Sequence, residues 1–207
     1  MPLATPRSQQ IVGTALEFVD GRLHEQKCYG TFEEDMPEID FRFRILFVKH
    51  DGEFKMHSHE YSELVFVLGG RATHSTEIEE YELETGDVFV INGNKKHGFK
   101  NCQGLNLCNI MFDPEQFLSG KQELEEMMGY QALFDLQPRT RRVDHFLERL
   151  HLSPENLSYA TNLITHLQEE YHRKTEGRRL VITSTFNLLI TFICRIYGSE
   201  KEDTVSP

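Results

Sequence analysis

The hydrophobic pattern of the chain changes from strand-like to helix-like near residue 113. Before that point, apolar residues alternate with polar ones or form short runs between turn-forming residues. The clearest alternation has apolar residues at every second position, at Phe41, Phe43, Ile45 and Phe47. Successive side chains in a strand point to opposite faces, so this period indicates a strand. Many short strands at such spacing predict an antiparallel barrel or jelly roll.

A glycine pair follows the most apolar segment of this region. Residues 64–68 are apolar at every position, which predicts a strand covered on both faces. Gly69-Gly70 predicts a two-residue hairpin, which would pair Val65 with His74 and Glu63 with Thr76. Directly opposed residues share a face, so His74 is expected to point inward with Glu63.

The second half of the chain predicts helices. Residues 114–118 and 121–128 are short candidates, and Ser153-Pro154 is a capping residue followed by a first-turn proline. Apolar residues at helical spacing predict a helix from there to Gly177, and a second helix at residues 178–197. We therefore divide the chain into a barrel with an N-terminal arm (1–113), a helical dimerisation region (114–198) and a linker (199–207).

The second long helix carries two apolar stripes. One contains Ile182, Phe186, Leu189, Ile193 and Ile196, and the other contains Val181, Leu188 and Phe192. One stripe is enough to dock a helix on its own domain. The second stripe predicts a homodimer interface, and substitution of Phe192 would test it most directly. The alternative is a helix that is covered on both sides within its own domain.

Candidate chemistry lies in the strand-rich part. His57, His59 and Glu63 should point to one side, and His97 arrives from a separate strand. Three imidazoles and one carboxylate can hold a divalent transition metal such as Zn, Ni, Fe or Mn. The alternative is a ligand pocket without metal, in which His74 also forms part of the wall. Glu33-Glu34-Asp35 is interpreted as a solvated acidic turn.

The spacing of these residues resembles the two cupin motifs. His-x-His-x3-Glu-x6-Gly is matched at His57, His59, Glu63 and Gly70, and the second motif at Gly86, His97 and Asn101. Asn92 stands where the second motif has Pro, and Asn94 where it has Gly. Asn92-Gly93 still suits a tight turn, since both residues tolerate positive φ. Residues 63–70, 86–91 and 109–114 are similar to the sensory domain of AraC-family transcription regulators, particularly the sugar-responsive, rhamnose-type members.

The resemblance implies a mainly β fold with an α appendage: a cupin-like double-stranded β-helix (jelly-roll) barrel followed by a helical hairpin. It also implies that the barrel binds a small, sugar-like effector, that the helices form a homodimer, and that a C-terminal helix-turn-helix part, which this chain lacks, reads DNA. A metal-dependent cupin enzyme, either a dioxygenase or a sugar isomerase, stays open as the alternative. The metal-ligand pattern favours the enzyme, whereas the helical appendage favours sensing.

Composition narrows the classes of partner. The net charge of -11 disfavours direct contact with phosphate backbones or anionic membranes. The four cysteines form no C-x-x-C pair, which favours reduced thiols. The N-terminus has no secretory signal pattern, and no apolar run is expected to span a membrane, so a cytoplasmic protein is expected.

Overall fold

The computed structural model describes residues 16–19, 22–25, 29–134 and 149–205, with side chains described for 29–134 and 149–199. Parts of the predicted N-terminal arm and residues 135–148 of the predicted helical region lie outside the described residues. The strands are β1 (Leu16–Val19), β2 (Arg22–Glu25), β3 (Tyr29–Gly30), β4 (Phe43–His50), β5 (Phe54–His59), β6 (Ser62–Thr76), β7 (Glu80–Glu84), β8 (Asp87–Ile91), β9 (His97–Phe112) and β10 (Arg149–His151). The helices are α1 (Phe32–Asp35), α2 (Pro114–Phe117), α3 (Gln122–Glu125), α4 (Met128–Leu133), α5 (Pro154–His172) and α6 (Arg178–Val205).

Two long strands, β6 and β9, form the centre of the sheet. Its strand order is β10-β8-β6-β9-β4-β1-β2, with β7 added on β6 and β5 on β9. Within the described strands this order is open at both ends rather than closed into a ring. Gly70 and Gly104 have positive φ values of 76° and 59°, and the register of β6 on β9 shifts around them. A side chain on Gly70 would collide with the carbonyl of Gly104, so the two strands bend together at this point.

The hairpin predicted at Gly69-Gly70 is wrong. β6 continues through both glycines, and both of its halves pair with β9 instead of with each other. Glu63 lies opposite Met111 and Ile91, while Thr76 lies opposite His97. Gly69 and Gly70 therefore lie at a bend within the continuous strand β6. The close approach of β9 at this bend is possible because Gly104 of β9 lies against Gly70.

The sheet separates two hydrophobic cores. Alternate residues of β6 and β9 face outward toward the helices, including Leu64, Phe66 and Ile110. The residues between them, such as Val65 and Val67, face inward with Phe89, Phe99 and Leu107. The shared face predicted for Phe43 and Ile45 is confirmed, and it is the outer, helix-covered face. Covering on both sides explains why residues 64–68 are apolar throughout.

The helices begin where the sequence predicts. The Ser153 side chain accepts a hydrogen bond from the Asn156 amide at the start of α5. That helix ends at His172 rather than at Gly177, because Arg173 adopts an extended backbone and Gly177 (φ 78°) lies directly before α6. α6 continues through residues assigned from the sequence to a linker, as far as Val205.

Two features of the second half were not expected. β10 pairs antiparallel with β8 and so returns the chain from the helical region to the sheet. The segment Arg178–Ser199, with mean hydropathy 1.6, is long and apolar enough by length and composition alone to cross a membrane, contrary to the expectation. Buried residues such as Phe186 and Ile190 contribute to that apolar character, since they pack against the outer core.

Candidate metal and ligand site

Three strands bring the predicted site residues together on the inner side of the sheet. β5 carries His57 and His59, β6 carries Glu63 and His74, and β9 carries His97. His97 pairs directly with His57, and its ring centroid lies 4.1 Å from that of His57, 5.2 Å from that of His59 and 5.9 Å from that of His74. The inward orientation expected for His74 is therefore found, although its strand partners are Tyr81 and Phe99 instead of Val65.

The tightest group consists of His59, Glu63 and His97. Their ligand atoms lie within 4.8 Å of one another, and all three residues are buried. His59 Nδ1 donates to the backbone carbonyl of Tyr61 at 2.7 Å, so its Nε2 is left 3.6 Å from a carboxylate oxygen of Glu63. Nε2 has no hydrogen-bond partner among the described residues. A histidine held by one nitrogen with the other one open is the arrangement typical of metal ligands.

His57 lies beside this group without belonging to it. Its side chain is half-buried, and its Nδ1 contacts the Lys55 carbonyl at 3.1 Å. Its ring packs edge-on against Phe54. The structure thus places three of the four predicted metal ligands within reach of one ion and the fourth at their side.

Burial and charge set the protonation of the cluster. Burial lowers the pKa of His97 well below its usual value, with the neighbouring histidines adding to the effect. Burial opposes charge on Glu63 as well, yet His59 holds the pKa of Glu63 below its usual value. For His59 the same pairing outweighs burial and raises its pKa. His59 and Glu63 therefore favour each other's charged forms across the 3.6 Å between Nε2 and the carboxylate, and a cation bound there would take the place of the His59 proton.

The His74 side chain lines the inner face, and only one of its two ring nitrogens has a hydrogen-bond partner among the described residues. Its Nδ1 lies 2.7 Å from the Tyr81 hydroxyl, and its ring packs against Phe89 and Phe99. Burial lowers the pKa of His74 to about 3, so the ring is neutral at physiological pH. Its Nε2 has no partner within the described part of the chain.

A second set of residues, which the sequence did not predict for the site, holds His59 in place. The Tyr61 ring stacks on the His59 ring at 4.5 Å, and its hydroxyl donates to Asp35 at 3.0 Å. Arg44 forms an ion pair with the same carboxylate at 3.2 Å. Glu33 and Glu34 are exposed, as the interpretation of a solvated acidic segment expects, but the Asp35 side chain is only 10% exposed because it pairs with Tyr61 and Arg44. No short motif signals these contacts, since they join segments far apart in the sequence.

The two departures from the second cupin motif are accommodated locally. Asn94 adopts φ 65°, a conformation that asparagine tolerates better than most residues. Its amide donates to the His59 carbonyl at 2.6 Å, and its side chain accepts from Tyr29 at 3.1 Å. The positive φ expected at Asn92-Gly93 is thus found at Asn94, which stands at the glycine position of the motif.

Comparisons with known proteins agree with this geometry. Residues 44–107 match the cupin domain family. The chain is 35% identical over 164 residues to the HTH-type transcriptional activator RhaR of Escherichia coli O139:H28, covering 72% of this chain and 57% of that protein. It is 23% identical over 149 residues to RhaR of Mannheimia succiniciproducens, covering 72% and 49%. The chain thus spans about half the length of these relatives.

Two solved structures resemble parts of the chain. A cupin-2 domain protein from Shewanella frigidimarina has 23% identity and a TM-score of 0.31, with 33% of this chain and 68% of that chain covered. KdgF from Halomonas sp. has 23% identity and a TM-score of 0.32, with 34% and 68% covered. The family match and the curated relatives confirm the cupin fold class and the resemblance to rhamnose-type AraC-family regulators.

Proposed function

We propose that this chain, which carries a cupin domain and is similar to rhamnose-type AraC-family activators, is the effector-sensing and dimerisation part of a transcription regulator. The observation that carries the proposal is the similarity to RhaR activators along 72% of the chain. The alternative, a metal-dependent cupin enzyme, has no support among these relatives. Because proteins of this kind act on DNA, we also propose a cytoplasmic location.

The chemistry of the inner face supports a neutral, hydroxylated effector. His59, His74 and Glu63 place hydrogen-bonding groups above inner residues that are otherwise apolar. A site that offers donors and acceptors to hydroxyl groups rejects molecules that lack them, because its buried polar atoms would then stay unpaired. A small sugar presents such hydroxyls together with an apolar ring face, which Phe89 and Phe99 suit.

Within this function we propose a divalent transition metal held by His59, Glu63 and His97. The residues fit such an ion, since one carboxylate oxygen and two imidazole nitrogens converge in a buried position, and His59 Nε2 has no partner among the described residues. A bound metal would polarise a hydroxyl of the effector as a Lewis acid. The protein's own part is to orient His59 through Tyr61 and to keep His97 uncharged.

Metal analysis of the purified chain tests this assignment. Wild-type protein is expected to hold about one equivalent of metal after dialysis against a mixture of divalent ions. His59→Ala should abolish it, whereas His166→Ala, which removes an exposed histidine on α5, should leave it unchanged. Equal metal content in both variants and the wild type would place the metal elsewhere.

The dimer part of the proposal rests on the outer surface of the two long helices. Tyr159, Leu180 and Leu188 are 45%, 72% and 48% exposed, although each is a large apolar residue. Contact with a second copy would remove this surface from water. Contact with DNA is proposed for a part of the regulator outside the matched region, in keeping with the net charge of -11.

Titration calorimetry with a panel of neutral monosaccharides, including L-rhamnose, tests the sensing function. We expect saturable binding of at least one neutral sugar, weaker binding of acidic sugars, and recovery of the sugar unchanged. Absence of binding across the panel would overturn the proposal. Turnover of a sugar or consumption of oxygen would support the enzyme instead.

A further inference from the structure

Three buried side-chain atoms in the described part of the chain have no hydrogen-bond partner: His59 Nε2, His74 Nε2 and Asn109 Oδ1. The first two belong to the cluster already described. Asn109 was not predicted as a site residue, and no cupin motif position covers it. Buried polar atoms in folded proteins are nearly always paired, so each exception calls for a physical explanation.

The strand register fixes the face on which Asn109 lies. It is directly opposite Val65 on β6 and Leu46 on β4, and Val65 is opposite Phe89 on β8. Directly opposed residues share a face, and Val65 and Phe89 both belong to the inner core. The side chain of Asn109 therefore points to the inner side of the sheet.

Asn109 lies between the polar residues of the candidate site and the apolar residues of the inner core. Glu63 occupies the next inner position along β6, opposite Met111. On the other side, the next inner positions are Val67 and Leu107, which are fully buried and apolar. Asn109 is thus the polar residue of the inner face that lies next to these apolar positions.

His74 lies on the same inner face, in the half of β6 beyond the bend. Its ring packs against Phe89, and Phe89 lies opposite Val65, the residue that faces Asn109 on β6. The unpaired Nε2 of His74 and the unpaired Oδ1 of Asn109 are therefore both polar atoms of the inner face.

We infer that Asn109 is a ligand-binding residue whose Oδ1 accepts a hydrogen bond from a hydroxyl of a neutral, polyhydroxylated effector. This inference rests on the proposed sensing function and adds a residue that sets its specificity. The acceptor distinguishes a hydroxyl from a hydrogen at one position of the ring, since a deoxy ligand leaves the Asn109 oxygen unpaired. Glu63 and the metal-ligand cluster contact another part of the ligand.

The test compares two asparagines on the same strand. Asn109→Leu removes the inward acceptor with little change in volume, whereas Asn106→Leu alters a half-buried residue on the outer face. With the neutral sugar that binds wild-type protein most tightly, we expect Asn109→Leu to raise Kd about tenfold and Asn106→Leu to leave it unchanged. Asn109→Ala serves as the second variant if the leucine variant does not fold.

Deoxy analogues of the same sugar locate the contact. For one ring position, removal of the hydroxyl should weaken binding to the wild type about tenfold and leave the affinity of the Asn109 variant unaffected, because the partner is already gone. Equal Kd values for the wild type and Asn109→Leu, with a change in unfolding midpoint alone, would show a purely structural asparagine and overturn the inference while sensing stands. A wild-type protein that binds no neutral sugar would overturn both.

Discussion

Leu188 on α6 offers the sharpest test of the proposed dimer. This residue belongs to the stripe that the sequence assigns to an interface, and its side chain is 48% exposed in the single chain. Phe192, the probe expected from the sequence, is less suitable because its ring already packs against Tyr159 at 4.6 Å and against the outer core. Leu188→Asp should therefore disturb an interface with little effect on the fold of one chain.

The expected effect follows from the surface that remains to be buried. Full burial of a leucine side chain contributes roughly 2 kcal/mol, so the exposed half contributes about 1 kcal/mol in each of two copies. An unpaired carboxylate at an interface adds several kcal/mol of desolvation. The dimer should be weakened by at least about 4 kcal/mol, which corresponds to a roughly thousandfold larger dissociation constant.

Sedimentation velocity over a concentration series measures this constant directly. Ile78→Asp is the matched control, because Ile78 is 81% exposed in the turn between β6 and β7, away from α5 and α6. We expect the wild type and Ile78→Asp to form dimers at micromolar concentration and Leu188→Asp to remain a folded monomer. A Leu188→Asp protein with the wild-type dissociation constant would refute the argument and place any interface elsewhere.

Two further predictions concern stability. Gly70→Ala should lower the free energy of unfolding by much more than Gly104→Ala does. Both residues have positive φ, but only a methyl group at Gly70 would meet backbone atoms. Gly104→Ala should cost about 1 kcal/mol, and equal urea midpoints for the two variants would contradict the shared bend. Burial, followed by the charge of His57, lowers the pKa of His50 to about 4 from 6.5. As pH falls below 6.5, the His50 ring therefore becomes protonated in the unfolded chain but stays neutral in the folded protein. The wild type should lose about 2 kcal/mol more stability between pH 7 and pH 5 than His50→Leu does. Identical pH profiles of the two proteins in urea unfolding would exclude His50 as the cause.

Sequence spacing predicted the convergence of His59, Glu63 and His97, because strand alternation and the cupin motifs both depend on local order along the chain. It failed at Gly69-Gly70, where the bend of β6 depends on Gly104 in a strand far along the sequence. Pairing between distant segments also explains the other omissions. β10 is too short to leave a periodic signal, and the inward position of Asn109 follows from its register on Val65 and Leu46.

The outer core has a consequence for how the molecule unfolds. The Phe186 ring of α6 lies 5.4 Å from Phe43, 5.0 Å from Phe112 and 5.8 Å from Phe117, and so joins two strands and a short helix around one side chain. A fragment ending at residue 113 would expose the rings of Phe43 and Phe112 to water. The Phe186 contacts therefore couple the strand-rich and helix-rich parts, and we expect the two parts to unfold together in a single transition.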